Sequence, residues 1–320
     1  MALKPLLQHT QLLETLKSAI DQQKLASTHI ISGSPGVGKK LFSLHVIQYL
    51  FCDHKNNYQA CGECGSCRKI QNTQHEGLHI VEPQGAQIKI EQAREVIRFL
   101  SLKSQMQPQA VLILEAHKMN PQTANALLKV IEEPPENSYF FICTSSLSAM
   151  LPTIRSRSQI WRLPNLKPET LKTIFPQAEE TLILSAQGRA DLLEKSFSES
   201  TTELHNKSFA VWSEKFSSVT VLDEFQEELK SREDFVTLLS LWQQQIRDAC
   251  FIKSGRPKNV IFSKHQEQLN ALTQLSFEQL EKLFCHCLDM QQEMNYNVDK
   301  SLMLQNFSLK VKECQSVSLD

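Results

Sequence analysis

No stretch of this chain approaches the roughly 20 consecutive apolar residues that cross a bilayer. Its opening, MALKPLLQHTQ, has no sustained apolar core of the kind a secretory signal carries. Both absences lead us to expect a cytoplasmic protein. An excess of positive charge is lacking too: 34 Lys and Arg face 35 Asp and Glu, for a net charge of −1. A whole-molecule pull toward nucleic acid is thereby excluded, and any DNA contact has to come from a local patch or from partner subunits. There are no internal repeats and no low-complexity tract. What is present, 41% hydrophobic and 22% charged residues over 320 positions, is ordinary for a globular chain and long enough for two or three domains.

Cysteine is abundant and unevenly placed. Four of the nine fall at Cys52, Cys61, Cys64 and Cys67; the others, Cys143, Cys250, Cys285, Cys287 and Cys314, are scattered. In a reducing compartment a cluster signals metal or redox chemistry more often than disulfides, whereas scattered cysteines are ordinarily buried thiols. Four thiolates suit a closed, tetrahedral structural Zn²⁺ site. Gly62 and Gly65 separate the last three cysteines, where tight turns must aim successive sulfurs at one point. Free or redox thiols and an iron–sulfur cluster are the alternatives. A structural zinc would tie down a segment with too few apolar residues for a core of its own.

Thr28–Ser32 reads as a short strand, followed by a glycine-rich loop and a helix over 41–51. The loop, Gly33-Ser-Pro-Gly36-Val-Gly38-Lys39-Lys40, has the GxxxxGK spacing that cradles phosphate, and the strand–loop–helix context raises the match above chance. Gly33, Gly36 and Gly38 would let backbone N–H groups face the anion, and Lys39 would reach the β- and γ-phosphates. Lys40, however, stands where Ser or Thr would hold Mg²⁺. In Ala110-Val-Leu-Ile-Leu114-Glu115-Ala-His117, a strand ending like "DEAH", Leu114 replaces the metal-binding Asp. Glu115 keeps the place of a water-activating carboxylate. Glu115 standing in for the Asp, or the loop being only a structural turn, are the competing readings. Residual nucleotide binding stays open; hydrolysis is not expected, because both protein ligands of the metal are gone.

Further elements follow the same alternation. A helix is expected near Leu12–Ile20, strands at Leu78–Val81, Ala110–Leu114 and Tyr139–Cys143, and helices at Glu91–Leu100 and Pro121–Glu133. Ala93, Val96, Ile97 and Leu100 would face inward on the first of these helices, and Ala124, Leu127, Leu128 and Ile131 on the second. Strands alternating with helices imply a parallel sheet covered on both faces. Beyond Pro164 the pattern turns helical. Gly188 punctuates a helix, Ser196–Asn206 reads as a linker, and Ser276-Phe-Glu-Gln279 is a capping-box start.

Together these segments resemble the bacterial clamp-loader branch of the AAA+ family. The cysteine module sits after the P-loop helix with the family's spacing. Asn125-Ala-Leu-Leu-Lys129-Val-Ile-Glu-Glu-Pro-Pro135 is close to the family's "NALLKTLEEPP". Thr153-Ile-Arg155-Ser156-Arg157-Ser158 matches its "SRC" motif, with Ser for Cys. Trp242-x4-Arg247-Asp248 and Asn295-Tyr-Asn297 are similar to its C-terminal domain. The match is strong over 1–165 and weaker beyond. The resemblance implies an α/β AAA+ P-loop module over 1–164 with a zinc module at 52–67, a small helical lid at 165–205, and an all-α collar at 206–320. It implies a hetero-oligomer with gamma/tau motors and a delta clamp opener, which meets the sliding clamp and primed DNA through the complex of the DNA polymerase III holoenzyme. In the family the arginine matching Arg157 points at a neighbour's ATP, a task that suits a planar, permanently charged fork, and Thr144 and Ser145 match the family's sensor-1 place. The motors' "GSxRDAL" reads Gly188-Arg189-Ala-Asp191-Leu, with Asp191 in the place of its Arg. A non-hydrolysing subunit fits these departures. A gamma/tau-type motor and a free-standing zinc DNA-binding protein are the rivals; Lys40 and Leu114 oppose the first and the neutral charge the second.

Overall fold

The computed structural model describes residues 3, 6–101, 108–196, 204, 207–212, 229, 232–256, 259–262, 265–294 and 298–316. Most of the Ser196–Asn206 linker and all of Asn295–Asn297 lie outside the described residues. Contacts divide the chain into two units: Met1–Leu171 with Gly188–Asp191, and Lys172–Gln187 with Leu192–Asp320.

The first unit is built on five parallel strands: Thr28–Ser32 (β1), Leu78–Val81 (β2), Gln109–Ile113 (β3), Ser138–Thr144 (β4) and Gln159–Arg162 (β5). Their spatial order is β2-β3-β4-β1-β5. β1 therefore lies inside the sheet, with Ile30 opposite Ile142 on one side and Ile160 on the other. Alternate residues face opposite ways. Ile31, Leu112, Phe141 and Cys143 join Leu16, Phe42 and Ile47 from the helices Thr10–Asp21 (α1) and Lys39–Phe51 (α2). Ile30, Val111, Phe140 and Ile142 join Val96, Leu127 and Ile131 from Ile90–Ser101 (α4) and Pro121–Glu132 (α5). A short helix, Gly65–Gln71 (α3), lies in the cysteine module. The sheet is thus covered on both faces, as the alternation implies.

Local chemistry sets the helix ends. Asn120 caps α5, its side chain accepting from the Thr123 N–H at 2.8 Å, and Pro121 takes the first position, where a missing donor costs nothing. One inward residue is corrected: Ile97 is 36% exposed. Gln92 is buried instead; its amide donates to the Glu82 carbonyl at 2.7 Å and accepts from the Lys89 N–H at 3.0 Å. That rotates the buried arc through Gln92, Ala93, Val96 and Leu100 and leaves Ile97 at its edge. β5 had no sequence signal, because only Trp161 of its four residues is buried.

Short helices Pro152–Ser156 (α6), Pro168–Ile174 (α7), Glu180–Ser185 (α8) and Ala190–Ser196 (α9) follow. The second unit then carries longer ones, Arg232–Lys253, Gln266–Gln274, Phe277–Glu293 and Lys300–Ser316. The capping box is present, with Ser276 N–H donating to Gln279 Oε1 at 2.6 Å and Gln279 N–H to Ser276 Oγ at 3.2 Å. At the centre of this helical core the Trp242 ring stacks on Phe307, centroids 4.3 Å apart and planes 5° from parallel. The buried indole N–H donates to the Ser208 carbonyl at 3.0 Å. Asp248, fully buried, accepts from the Phe262 N–H at 2.8 Å and from Arg247 at 3.0 Å. Among the described residues no helix is long and apolar enough to cross a membrane.

Trp242 both fills this core and satisfies a buried carbonyl. Trp242→Ala is expected to lower the urea unfolding free energy of the second unit by about 3–5 kcal/mol, and Trp242→Phe by less. Far-ultraviolet circular dichroism against urea would check both; an unchanged midpoint for the alanine variant would contradict the packing described.

Candidate functional site: a glycine loop and a four-cysteine module

The loop at the end of β1 is held by the sheet. Gly33 N–H donates to the Thr144 carbonyl at 3.2 Å, and Leu163 N–H to the Ser32 carbonyl at 2.7 Å, so β4 and the end of β5 grip its root from both sides. Gly36 and Gly38 turn with φ of 72° and 91°, and α2 starts at Lys39. The Lys39 ammonium folds back onto the loop, donating to the carbonyls of Gly33 and Ser34, both at 2.8 Å. Burial pushes its pKa down, while the charges of Cys143, Asp191 and Glu115 act in the opposite direction. Glu115 and Asp191 thus share the neighbourhood of this lysine.

The neighbouring groups offer little to a cation. Lys40 pairs with Glu82 at 2.7 Å on the surface, a contact of small energetic weight at this exposure. Leu114 carries no oxygen and packs against the α1–α2 side of the core. Glu115 follows with φ 48° and pairs with Lys118 at 2.5 Å. Thr144 is buried, its hydroxyl donating to the Ser146 carbonyl at 3.0 Å and accepting from the Ser146 N–H at 3.2 Å. Ser145 instead meets the His117 ring, 3.3 Å from Nε2. Gly33, Gly36, Gly38, Lys39, Lys40, Glu115 and Thr144 accordingly gather at the carboxyl ends of β1, β3 and β4, where open α/β sheets bind ligands.

Arg157 is bound elsewhere. It follows α6, where its guanidinium donates to the Thr153 carbonyl at 3.2 Å and Ser156 Oγ at 3.3 Å, and its Nε pairs with Glu132 Oε1 at 3.1 Å. Glu132, the last residue of α5, was not singled out in the sequence, nor was Glu82. Both belong to solvated polar stretches, and only the fold brings them to their arginine and lysine.

The four cysteines converge. A tight turn at Asn57-Tyr58, both with positive φ, closes Asn56 against Gln59 and doubles the chain back between Cys52 and Cys61. The four sulfurs all lie within 4.8 Å of one another. Backbone donors point at them: Cys61 N–H to the Cys52 sulfur and Cys64 N–H to the Cys61 sulfur, each at 3.3 Å, and Cys67 N–H to the Cys64 sulfur at 3.4 Å. The N–H groups of Cys64 and Glu63 hold the Cys61 thiol down to about 6. Donors aimed at sulfur favour thiolate, the form that ligates metal. The donor set can therefore hold a metal ion, with no ligand position left over for substrate. Cys67 is tied to α2 through Gln48, whose amide donates to its carbonyl at 3.3 Å.

The first half of the chain is similar to known proteins. Residues 8–167, half of the chain, match the family model described as "DNA polymerase III, delta subunit". A DNA polymerase III subunit delta' from Pseudomonas aeruginosa is 33% identical over 135 residues, 41% of this chain and 41% of that protein. The Bacillus subtilis subunit delta' is 28% identical over 165 residues, 51% of this chain and 49% of its own length. A Mycobacterium tuberculosis subunit gamma/tau is 29% identical over 162 residues, 50% of this chain and 28% of that protein. The matches thus span less than half the length of these curated relatives. Among solved structures, a DNA polymerase III gamma subunit-related protein from Thermotoga maritima has the same fold, with a TM-score of 0.52 at 18% identity over 95% of this chain and 99% of its own.

Elemental analysis of the purified chain is expected to return one metal ion per molecule. Cys61→Ser should lose it, whereas Cys143→Ser, outside the cluster, should retain it. Equal metal content in all three proteins would rule out the cysteine module as the site.

Proposed function

The chain belongs to the DNA polymerase III delta-subunit family, and we propose that within it this chain is a delta-prime type, non-hydrolysing clamp-loader subunit. Its task would be to stand beside gamma/tau motors and a delta subunit in a hetero-oligomer that loads the sliding clamp onto primed DNA. The observation that carries this reading is the chemistry around the loop. The P-loop lysine and the glycines are present, yet the two places that would hold Mg²⁺ offer a lysine engaged with Glu82 and a leucine facing the core. Phosphoryl transfer depends on a metal to neutralise charge between the β- and γ-oxygens. A cradle that lacks both of those cation ligands is suited to a rigid partner, not to a motor.

Three finer assignments belong to this proposal. The metal of the cysteine module is Zn²⁺, because four thiolates in a closed set suit its tetrahedral preference. Residues 165–205 serve as a lid and 206–320 as the collar that joins subunits. Arg157 acts on a neighbour's ATP. Its bonds to Glu132, Thr153 and Ser156 support that role by holding the guanidinium at the end of α6, partly exposed. The gamma/tau relatives favour a second reading, a motor subunit, and catalysis separates the two.

The isolated chain is expected to hydrolyse ATP at background rate. Mg²⁺-dependent turnover that Lys39→Ala abolishes would establish the motor reading instead. In a reconstituted loader, Arg157→Ala is expected to leave metal content and assembly unchanged while slowing clamp-stimulated ATPase and clamp loading. The overall loss should be smaller than the about 10³–10⁵ an arginine supplied in trans is worth at its own site, since only the adjoining site is affected. Arg157→Lys should rescue poorly for want of the fork. Wild-type loading rates with Arg157→Ala would return this residue to the role of a surface arginine.

A further inference from the structure

Gly36, at the crest of the loop, does not face open space. A Cβ placed there would collide with the Asp191 carboxylate and lie 2.7 Å from the Asp191 backbone nitrogen. With φ at 72° the position already favours glycine; the carboxylate against it makes a side chain impossible without moving α9. Ala190 N–H also donates to the Gly36 carbonyl, at 3.3 Å. The segment is pinned behind as well. Leu166 N–H donates to the Gly188 carbonyl at 3.1 Å, and Gly188, φ 84°, is packed against Asn165 and Leu166 too closely for any Cβ. Gly188–Asp191 accordingly belongs with the first unit, although residues on either side do not. Arg189 closes the arrangement, its guanidinium giving Asp191 two bonds at 2.7 and 3.2 Å.

We propose that Gly188–Asp191 is a built-in plug of the phosphate loop. The Asp191 carboxylate stands against Gly36 at the crest of the loop, and it holds the Arg189 guanidinium, a group that could otherwise meet a phosphate. The ion pair fills the space against Gly36, and its carboxylate, the part nearest the loop, opposes a phosphate brought there. The Lys39 ammonium is held on the Gly33 and Ser34 carbonyls. This deepens the non-hydrolysing reading and rests on it in one respect: it accounts for why the cradle is closed to the nucleotide itself, beyond the missing cation ligands.

The test uses the full chain, with ATP and inorganic pyrophosphate as probes, titrated calorimetrically in Mg²⁺ and in EDTA. The wild type is expected to bind both weakly. Asp191→Asn, which keeps shape and removes charge, and Asp191→Ala should each tighten binding by about tenfold or more, and adding Lys39→Ala to either should reverse the gain. Asp191 variants that bind no better than the wild type, with unchanged melting temperatures, would overturn the plug and leave the non-hydrolysing reading standing. Mg²⁺-dependent turnover by Asp191→Asn would leave the plug standing and overturn the account that rests on the missing cation ligands. Should the variants melt early, the wild type decides: millimolar ATP must leave Lys39 as open to an amine-acylating reagent as before, and protection of Lys39 would overturn the proposal.

Discussion

The position of β1 inside the sheet is the constraint from which the rest follows. Both edges of that strand are hydrogen-bonded, to β4 and to β5, and both faces are buried. Its end therefore cannot drift, and the loop that leaves it is gripped by the Gly33–Thr144 and Ser32–Leu163 bonds. A glycine loop alone is conformationally permissive. Here it is rigid at the root, so the direction of α2, the place of Lys39 and the meeting with α9 are all set by a ladder of backbone bonds several residues away.

Around that fixed loop the charges are settled locally. Lys40 goes to Glu82, Glu115 to Lys118, Arg189 to Asp191, and Arg157 to Glu132. Each pair is partly solvated and contributes little to stability. Their effect is on availability: a cation that already has a carboxylate must give it up before it can serve another anion. Two of the pairs, Glu115 with Lys118 and Arg189 with Asp191, lie within three residues of each other in sequence, and the other two join residues at or near element ends. The cysteine module shows the opposite economy, with backbone N–H groups, which cannot swing away, aimed at sulfur.

Most of the first unit was legible in the sequence because its signals are short-range. β1 through β4, the loop and α5 follow from apolar runs, glycine spacing and the Asn120–Pro121 start. The cysteine spacing pointed to convergence, and the sulfurs do converge. What escaped notice depends on distant partners. β5 is a strand because β1 offers it an edge, not because Gln159-Ile-Trp-Arg162 alternates. Ile97 is displaced from the interior by a buried amide that finds two backbone partners. The acidic residues at 82 and 132 carry no local pattern at all. Asp191 could be read as a departure from the motors' motif; that it lies on Gly36 could not.

The order of strands also bears on how the chain is made. β1 is completed by residue 32, yet its two partners end at Thr144 and Arg162. During synthesis the apolar Thr28–Ser32 segment thus waits through well over a hundred residues for its neighbours, longer than any other strand of the sheet. Pairings so distant in sequence form slowly and leave apolar edges open to wrong partners. The cysteine module has no such delay, since all of its ligands emerge together between Cys52 and Cys67. A metal captured there would give the nascent chain one ordered region, attached to α2, well before the sheet can close.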